Sequence, residues 1–367
     1  MMRTRFAMWA TAAGLTVCSL PFSAPTFADL PLSVVTSPDA DKGANREAIK
    51  KHVAEQVEKL VSEDPAVRTS GRDGLVSRVT QTAHPVFVDF YCSEINIQIR
   101  PALADAKLES RLNAAIVLAR LAPADRAAKL SESVITVLGD KQEPVKLWGM
   151  KAAAQLLPSS ITVQSLNNPL LAKVSEVAQS AAGSTLIVEA YDGLTLTTHS
   201  SEVIALRDRY SNADWERLIK VVMPEFRKLW ATRLDQYIEG KVIEPMAEQI
   251  PTNFVSPLRS WTAMGKDQQV VVMQMLLNQL SLAGELAGDA LEAKPAYIRV
   301  IQRTAGAIQV IAQHENNRAL GDVASAIGKL PDTAAAATIE GAIAPMQKAI
   351  IAVPKFASIK PAPKVKR

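Results

Sequence analysis

Histidine is the side chain in this sequence best suited to acid–base or metal chemistry, because it exchanges a proton near neutral pH. The four histidines are His52, His84, His199 and His314. They lie in four separate segments. Two of them could form a metal site with Asp89 or Glu94 only if the fold brought these side chains together. The chain contains no HExxH, CxxC, GxGxxG, phosphate-loop or GxSxG motif. We therefore assign no catalytic, metal-ligating or cofactor-binding residue and expect no cofactor.

The cysteine and tryptophan residues fit a core better than a reactive site. Cys92 lies in the apolar and aromatic run 86–92, which favours a buried small hydrophobe over a reactive thiol. The only other cysteine is Cys18, which lies in the segment expected to be removed, so no intramolecular disulfide is expected. The tryptophans beyond that segment are Trp148, Trp215, Trp230 and Trp261. At least three of them lie on apolar stripes, which favours core anchors over sugar-binding platforms.

The first 28 residues follow the pattern of a secretory signal peptide, in which a cationic start precedes an apolar stretch and a small-residue cleavage site. Arg3 and Arg5 precede an apolar stretch over 6–20, and a small-residue site ends at Ala28. A membrane anchor is the alternative, but the stretch is shorter than the ~20 residues that span a bilayer. Lipidation at Cys18 is a second alternative. We expect cleavage after residue 28 and a protein that is periplasmic or secreted.

No segment of the mature chain is predicted to cross a membrane. The most apolar later stretch, 270–291, carries five amide or carboxylate side chains, which are costly in lipid. They are Gln274, Asn278, Gln279, Glu285 and Asp289.

Charge divides the mature chain into a slightly acidic body and a basic end. Removing 1–28 takes away two arginines and no acid, so the formal charge falls from +4 to +2. Five cations and three prolines follow Val353 without an acid, which predicts a disordered basic tail over 353–367. This tail could contact an anionic envelope surface or only add solubility. The acidic body and the lack of a basic, aromatic helix face argue against nucleic acid as a partner.

Helical periodicity dominates the chain after an extended lead-in over 29–45. The clearest helix lies over 211–240, where Ser211 and Asp214 offer a cap and Gly240 offers a stop. Only 5% of the residues are aromatic, which suits close packing of helices. The sequence therefore predicts an all-α fold.

Two stretches carry strand-like patterns. In residues 94–100, polar and apolar side chains alternate, as they do in a half-buried strand. Residues 186–198 contain Asp192-Gly193 between two apolar runs, as in a β-hairpin. We favour helix at both, because no further strands exist to complete a sheet.

Two segments repeat at a fixed offset of 35 residues. Residues 111–123 and 146–158 share, in step, a cation, a leucine, small residues and a final proline. The turn before the second copy resembles the HEAT-repeat pattern, with Asp140 followed by Pro144, Val145 and Lys146 and then a helix of small residues. Asp64 begins a more degenerate third turn, with Gly71 in the small-residue position. The resemblance covers 64–158 and implies an extended superhelix that binds other proteins.

These observations predict an irregular α-solenoid, a superhelix of antiparallel helix pairs, with HEAT-like repeats over 46–165. Longer helices over 166–352 either continue the solenoid or form a second helical domain. The leading functional hypothesis is an exported scaffold that binds another envelope or secreted protein. Two alternatives are an enzyme built on a helical toroid that acts on an envelope polysaccharide, and a structural envelope component tethered by the basic tail.

Overall fold

The computed structural model describes residues 30–80, 82–124, 126–163, 168–181, 184–194, 210–239, 261–289 and 294–366. Helices and short connections make up this part of the chain, and it contains no strand, which confirms the predicted all-α class. The predicted signal peptide with Cys18 lies outside the described residues, as does His199.

Fifteen α-helices follow one another along the described residues. The first ten are α1 (Leu32–Val35), α2 (Gly43–Leu60), α3 (Pro65–Val76), α4 (Pro85–Gln98), α5 (Arg100–Leu103), α6 (Leu108–Leu121), α7 (Ser131–Leu138), α8 (Glu143–Val163), α9 (Pro169–Ser180) and α10 (Ser184–Leu194). The last five are α11 (Asn212–Ile238), α12 (Lys266–Asp289), α13 (Lys294–His314), α14 (Arg318–Gly328) and α15 (Ala336–Ile351). Short 3-10 helices cover Ala127–Leu130 and Pro354–Phe356.

Side chains cap the starts of two helices that matter here, and the cap at Ser211 and Asp214 is the one predicted from the sequence. His84 caps α4, where its Nδ1 accepts a hydrogen bond from the Val86 amide at 3.2 Å. At the start of α11 the Ser211 amide donates to the Asp214 carboxylate at 2.9 Å, and the Asp214 amide donates to the Ser211 hydroxyl at 3.2 Å. The reciprocal cap satisfies two amides that would otherwise lack a partner within the helix.

Both stretches with strand-like patterns are helical where the structure describes them, as favoured from the sequence. Residues 94–98 belong to α4, and 186–194 belong to α10, whereas 195–198 lie outside the described residues. The alternating isoleucines do not share one face. Ile95 is fully buried while Ile97 is 58% exposed, because residues two apart on a helix point in different directions.

The helices of the first half pack in two rows. One row contains α3, α6, α8 and α10, and each packs against the next. The other row contains α2, α4, the 3-10 helix at Ala127–Leu130, α7 and α9, again in chain order. Pairs such as α2 with α3 and α7 with α8 join the rows, so the apolar faces of neighbouring helices enclose a continuous core.

Three connections from one row to the other share a turn geometry. In each, a side-chain oxygen accepts a hydrogen bond from the backbone amide two residues later. The acceptors are Ser62 at 3.2 Å, Asp105 at 2.8 Å and Asp140 at 2.8 Å. In the first two turns an arginine six residues after the acceptor donates to two carbonyl groups of the turn, at 2.7 and 2.9 Å for Arg68 and at 2.9 and 3.0 Å for Arg111.

Ion pairs link each of these turns to the next. Lys107 of the second turn pairs with Glu63 of the first. Arg111 binds Asp140 of the third turn at 2.7 Å, and both side chains are largely buried, with 16% and 10% of their surfaces exposed. Two ion pairs therefore tie the three turns to one another in succession.

Small residues of the repeat pattern lie where two helices approach closely. A Cβ atom on Gly71 would come within 2.7 Å of the Gln56 carbonyl oxygen in α2. A Cβ atom on Gly149 would come within 2.7 Å of Val137 Cγ1 in α7. Glycine therefore sets the spacing in both helix pairs, because any larger side chain would push the partner helix away.

The second half contains a four-helix ring and a helix that joins it to the first half. In the ring, α12 packs on α13, α13 on α14, α14 on α15, and α15 on α12. Helix α11 packs against α8, α9 and α10 on one side and touches α12 on the other. The segment after α15 runs along α12 and reaches the end of α11, where the Lys366 amide donates to the Ile238 carbonyl at 2.7 Å.

The C-terminal segment 354–366 is packed on the body, which differs from the disordered tail expected from composition. Phe356 is fully buried and Ile359 is 5% exposed. These two apolar residues anchor the segment, although its cations and prolines alone would favour disorder.

Two further boundaries differ from those expected. The lead-in 29–45 contains α1 and the start of α2, because Val34 and Val35 are buried and the Val35 carbonyl accepts from the His84 amide at 2.9 Å. Helix α8 continues past Pro158 to Val163, although the repeat pattern ends there.

Candidate functional site

The described histidines have separate local roles and do not form a cluster. His52 is buried, with Nε2 3.4 Å from the Gly74 carbonyl oxygen, and His84 is a helix cap. His314 lies 3.4 Å from Glu315 near the C-terminal segment. Within the described ranges, no group of three or more His, Cys, Asp or Glu side chains is placed to hold a metal ion.

Cys92 and most tryptophans lie in the core, as predicted. Cys92 is fully buried, and burial raises the pKa of its thiol to about 12, so it stays protonated at neutral pH. Trp215, Trp230 and Trp261 are 3%, 4% and 0% exposed. Trp148 is half-buried, with the Lys151 ammonium 5.0 Å from its ring centroid.

A groove of about 820 Å³ lies between α11, α12 and the C-terminal segment. Its volume falls in the range of about 300–1,000 Å³ that is typical of ligand sites. Most of its surface is apolar. The main apolar lining residues are Met223, Trp230, Leu234, Val270, Val271 and Met275.

The rim of this groove is cationic. The charged lining residues are Lys220, Arg227, Lys228 and Lys360, and no described acidic residue lines the groove. Lys228 is partly neutralised by Glu225, at 2.6 Å one helical turn earlier. The other three cations have no ion-pair partner among the residues that the structure describes. The groove therefore combines an apolar floor with three cations, Lys220, Arg227 and Lys360, that no described acidic side chain pairs with.

Side chains of α12 hold the backbone of the C-terminal segment at one wall of the groove. The Gln274 amide nitrogen donates to the Lys360 carbonyl at 2.9 Å, and the Gln274 oxygen accepts from the Lys360 amide at 2.7 Å. Eleven residues later on the same helix face, Glu285 accepts from the Val365 amide at 2.8 Å. These contacts involve backbone groups, so they do not depend on the side chains of the bound segment.

An ion pair anchors the start of the C-terminal segment. Lys355 Nζ lies 2.6 Å from Glu315 Oε1, and its ammonium is 5.7 Å from the Trp261 ring centroid. Burial of Glu315 opposes its ionisation. The hydrogen bond and charge of Lys355, with a smaller contribution from His314, outweigh burial and hold the pKa of Glu315 below its usual value.

Helix α12 is the one described helix that is long and apolar enough to cross a membrane by length and composition. In the structure 67% of that apolar window is buried inside the protein. Its polar residues have specific partners: Gln274 binds the C-terminal segment, and Gln279 donates to the buried Thr304 hydroxyl at 3.1 Å.

The sequence did not predict the groove, although it contained one signal for it. Gln274, Asn278 and Glu285 stand at helical spacing on a mostly apolar helix, where they were taken only as evidence against a membrane span. Polar residues in such a stripe need partners when they are buried, and here two of the three bind the C-terminal segment. No protein-family model matches this chain, and no curated protein is significantly similar to it.

Proposed function

We propose that this chain is an exported helical scaffold that binds a partner protein through the groove between α11 and α12. The observation that carries the proposal is the contact between Gln274 and Lys360. An extended segment is already held there through its backbone, while the apolar floor beside it is unfilled by the described residues. A second extended segment could be bound beside it by the same surface.

The shared turn geometry supports a second part of the proposal, that the first half is an irregular HEAT-like α-solenoid. Arg68 and Arg111 make the same contacts at equivalent positions of their turns. Within each row, the helices pack side by side in the order in which they follow along the chain. A solenoid of this kind would give α11 a rigid support, because each helix pair is fixed by its neighbours.

Site-directed photo-cross-linking tests the use of the groove. Ala231 is exposed and lines the groove, so it is replaced with p-benzoylphenylalanine in cells that produce the full chain. The matched control carries the same amino acid at Ala326, an exposed alanine of α14 that is not among the groove residues. We expect one partner adduct from position 231, absent from position 326 and lost when Leu234→Glu places a charge on the groove floor. Equal adducts at both positions, or none at either, would contradict the proposal.

Export is tested separately on the secreted or periplasmic fraction. Residues 1–28 carry the signal-peptide pattern, so we expect the mature chain to begin at Asp29. N-terminal sequencing of the fractionated protein gives this directly. An intact Met1 in a protein confined to the cytoplasm would refute export without affecting the groove.

A further inference from the structure

We infer that the groove between α11 and α12 recognises an extended, acidic segment of a partner polypeptide, one that alternates apolar and carboxylate side chains. This inference rests on the proposed function and specifies the chemistry of the partner. Three features of the described residues carry it: unpaired positive charge, an apolar floor, and a wall that already binds an extended backbone.

The charge of the rim selects for carboxylates. Lys220, Arg227 and Lys360 are exposed, line the groove and have no ion-pair partner among the described residues. No described acidic side chain lines the groove beside them, whereas the partly exposed Lys173 on α9 is paired with Glu176 at 2.7 Å. Uncompensated like charge around an apolar site attracts an anionic ligand and disfavours a cationic one.

The spacing of the cations suits an extended chain. Lys220 and Arg227 are seven residues apart on α11, which is about 10 Å along the helix axis. An extended chain covers that distance in about three residues. Carboxylates two to four residues apart could therefore each reach one cation, given the length of the lysine and arginine side chains.

The floor suits the apolar residues that alternate with those carboxylates. Met223 and Met275 face the groove from the two helices, and Trp230 lies between α11 and the ring. Methionine side chains adapt to differently shaped apolar groups, so such a floor can accept leucine, valine or phenylalanine in turn. In an extended segment these residues all lie on one side, opposite the acids.

The wall supplies backbone recognition. Asn278 is 7% exposed, lines the groove and accepts from the Gln274 amide at 2.9 Å through its Oδ1. Its amide nitrogen makes no hydrogen bond with the described residues. This nitrogen is not among the buried atoms that lack a partner, so it is open to solvent at the groove wall and can donate to a carbonyl of a bound segment in place of water.

The test uses fluorescein-labelled heptapeptides and the full mature chain. The probe alternates leucine and glutamate, and its control alternates leucine and lysine. Fluorescence anisotropy should show saturable binding of the acidic peptide, weakening with added salt, and no binding of the basic one. Equal binding of both peptides, or binding of neither, would overturn the inference.

Charge reversal locates the binding site. Lys220→Glu with Arg227→Glu should weaken acidic-peptide binding at least tenfold. The matched control reverses two exposed lysines outside the groove, Lys129→Glu with Lys329→Glu, and should change affinity less than twofold. If circular dichroism shows that the groove variant does not fold, Lys220→Gln with Arg227→Gln takes its place. Equal losses in both variants would show binding by overall charge and overturn the inference.

Two other occupants give distinct outcomes. Groove-dependent binding to phosphatidylglycerol vesicles, without peptide binding, would replace the polypeptide with a membrane surface. A dimer in sedimentation velocity that dissociates in the groove variant would replace it with a second copy of this chain. If position 231 still cross-links a partner protein while the acidic peptide does not bind, only this inference fails and the proposed function stands.

Discussion

Gln274 and Lys360 exchange two hydrogen bonds across 86 residues of sequence, at 2.9 and 2.7 Å. The side-chain amide of Gln274 satisfies both backbone groups of Lys360, as a neighbouring strand would. Because the contact involves only backbone atoms of the segment, it fixes the path of the segment without specifying its side chains. It is the point at which the C-terminal segment becomes a wall of the groove.

Removing this contact should release the C-terminal segment without unfolding the protein. Gln274→Leu keeps the approximate volume but leaves the Lys360 amide and carbonyl without their partner. Each such hydrogen bond contributes about 0.5–1.5 kcal/mol net, so the loss should be local and modest. We expect faster hydrogen exchange over 358–366 and little change in the thermal midpoint.

The control for this change is Gln313→Leu, at an exposed glutamine of α13. It should leave exchange over 358–366 unchanged. Unaltered protection of the segment in the Gln274→Leu variant would show that the apolar anchors alone hold it.

A methyl group added at a glycine of the repeat pattern should destabilise the protein much more than one added at a helix position with open space around it. Gly71→Ala would place Cβ 2.7 Å from the Gln56 carbonyl oxygen, so α2 and α3 must separate. We expect a loss of about 1–3 kcal/mol in the free energy of unfolding, measured with urea. Gly306→Ala is the matched control, since nothing lies within 4 Å of its Cβ position in the middle of α13. It should be neutral or stabilise by up to about 1 kcal/mol, because alanine favours helix. Similar effects at both positions would refute the close-packing explanation.

The ion pair between Arg111 and Asp140 should contribute far more to stability than an exposed pair. Arg111→Met leaves a largely buried carboxylate and two turn carbonyls without their donor. We expect a loss of about 2–4 kcal/mol in the free energy of unfolding. Arg318→Met removes the exposed pair with Asp322, whose side chains are 94% and 74% exposed, and should cost less than about 0.5 kcal/mol. A small effect at Arg111 would show that the turns do not depend on the link between them.

Local chemistry explains which parts of this structure could be predicted from sequence. The caps at His84 and Ser211 act within three residues, and helical periodicity acts within a few turns, so both could be predicted. The groove depends on contacts between distant segments, such as Gln274 with Lys360. The prediction for the C-terminal segment was wrong for the same reason, because its two apolar anchors gain their effect only from the helices that they meet.

Acid should loosen the start of the C-terminal segment through Glu315. Burial opposes its ionisation, but Lys355 outweighs burial, so the pKa of Glu315 in the folded protein lies below its ordinary value of 4.5. A lowered folded pKa means that the pair stabilises the docked segment above about pH 4.5 and that this contribution is lost as the pH falls through the folded pKa. We expect protection of the amides over 354–357 to be constant from pH 7 to 5.5 and to decline below pH 4.5, after correction for intrinsic exchange rates. The Glu315→Gln variant lacks the carboxylate, so its amides over 354–357 should show at every pH the weaker protection that the wild-type chain shows only in acid. If the wild-type chain and the Glu315→Gln variant decline together, another carboxylate controls docking, and Glu285 at the Val365 amide is the next to replace.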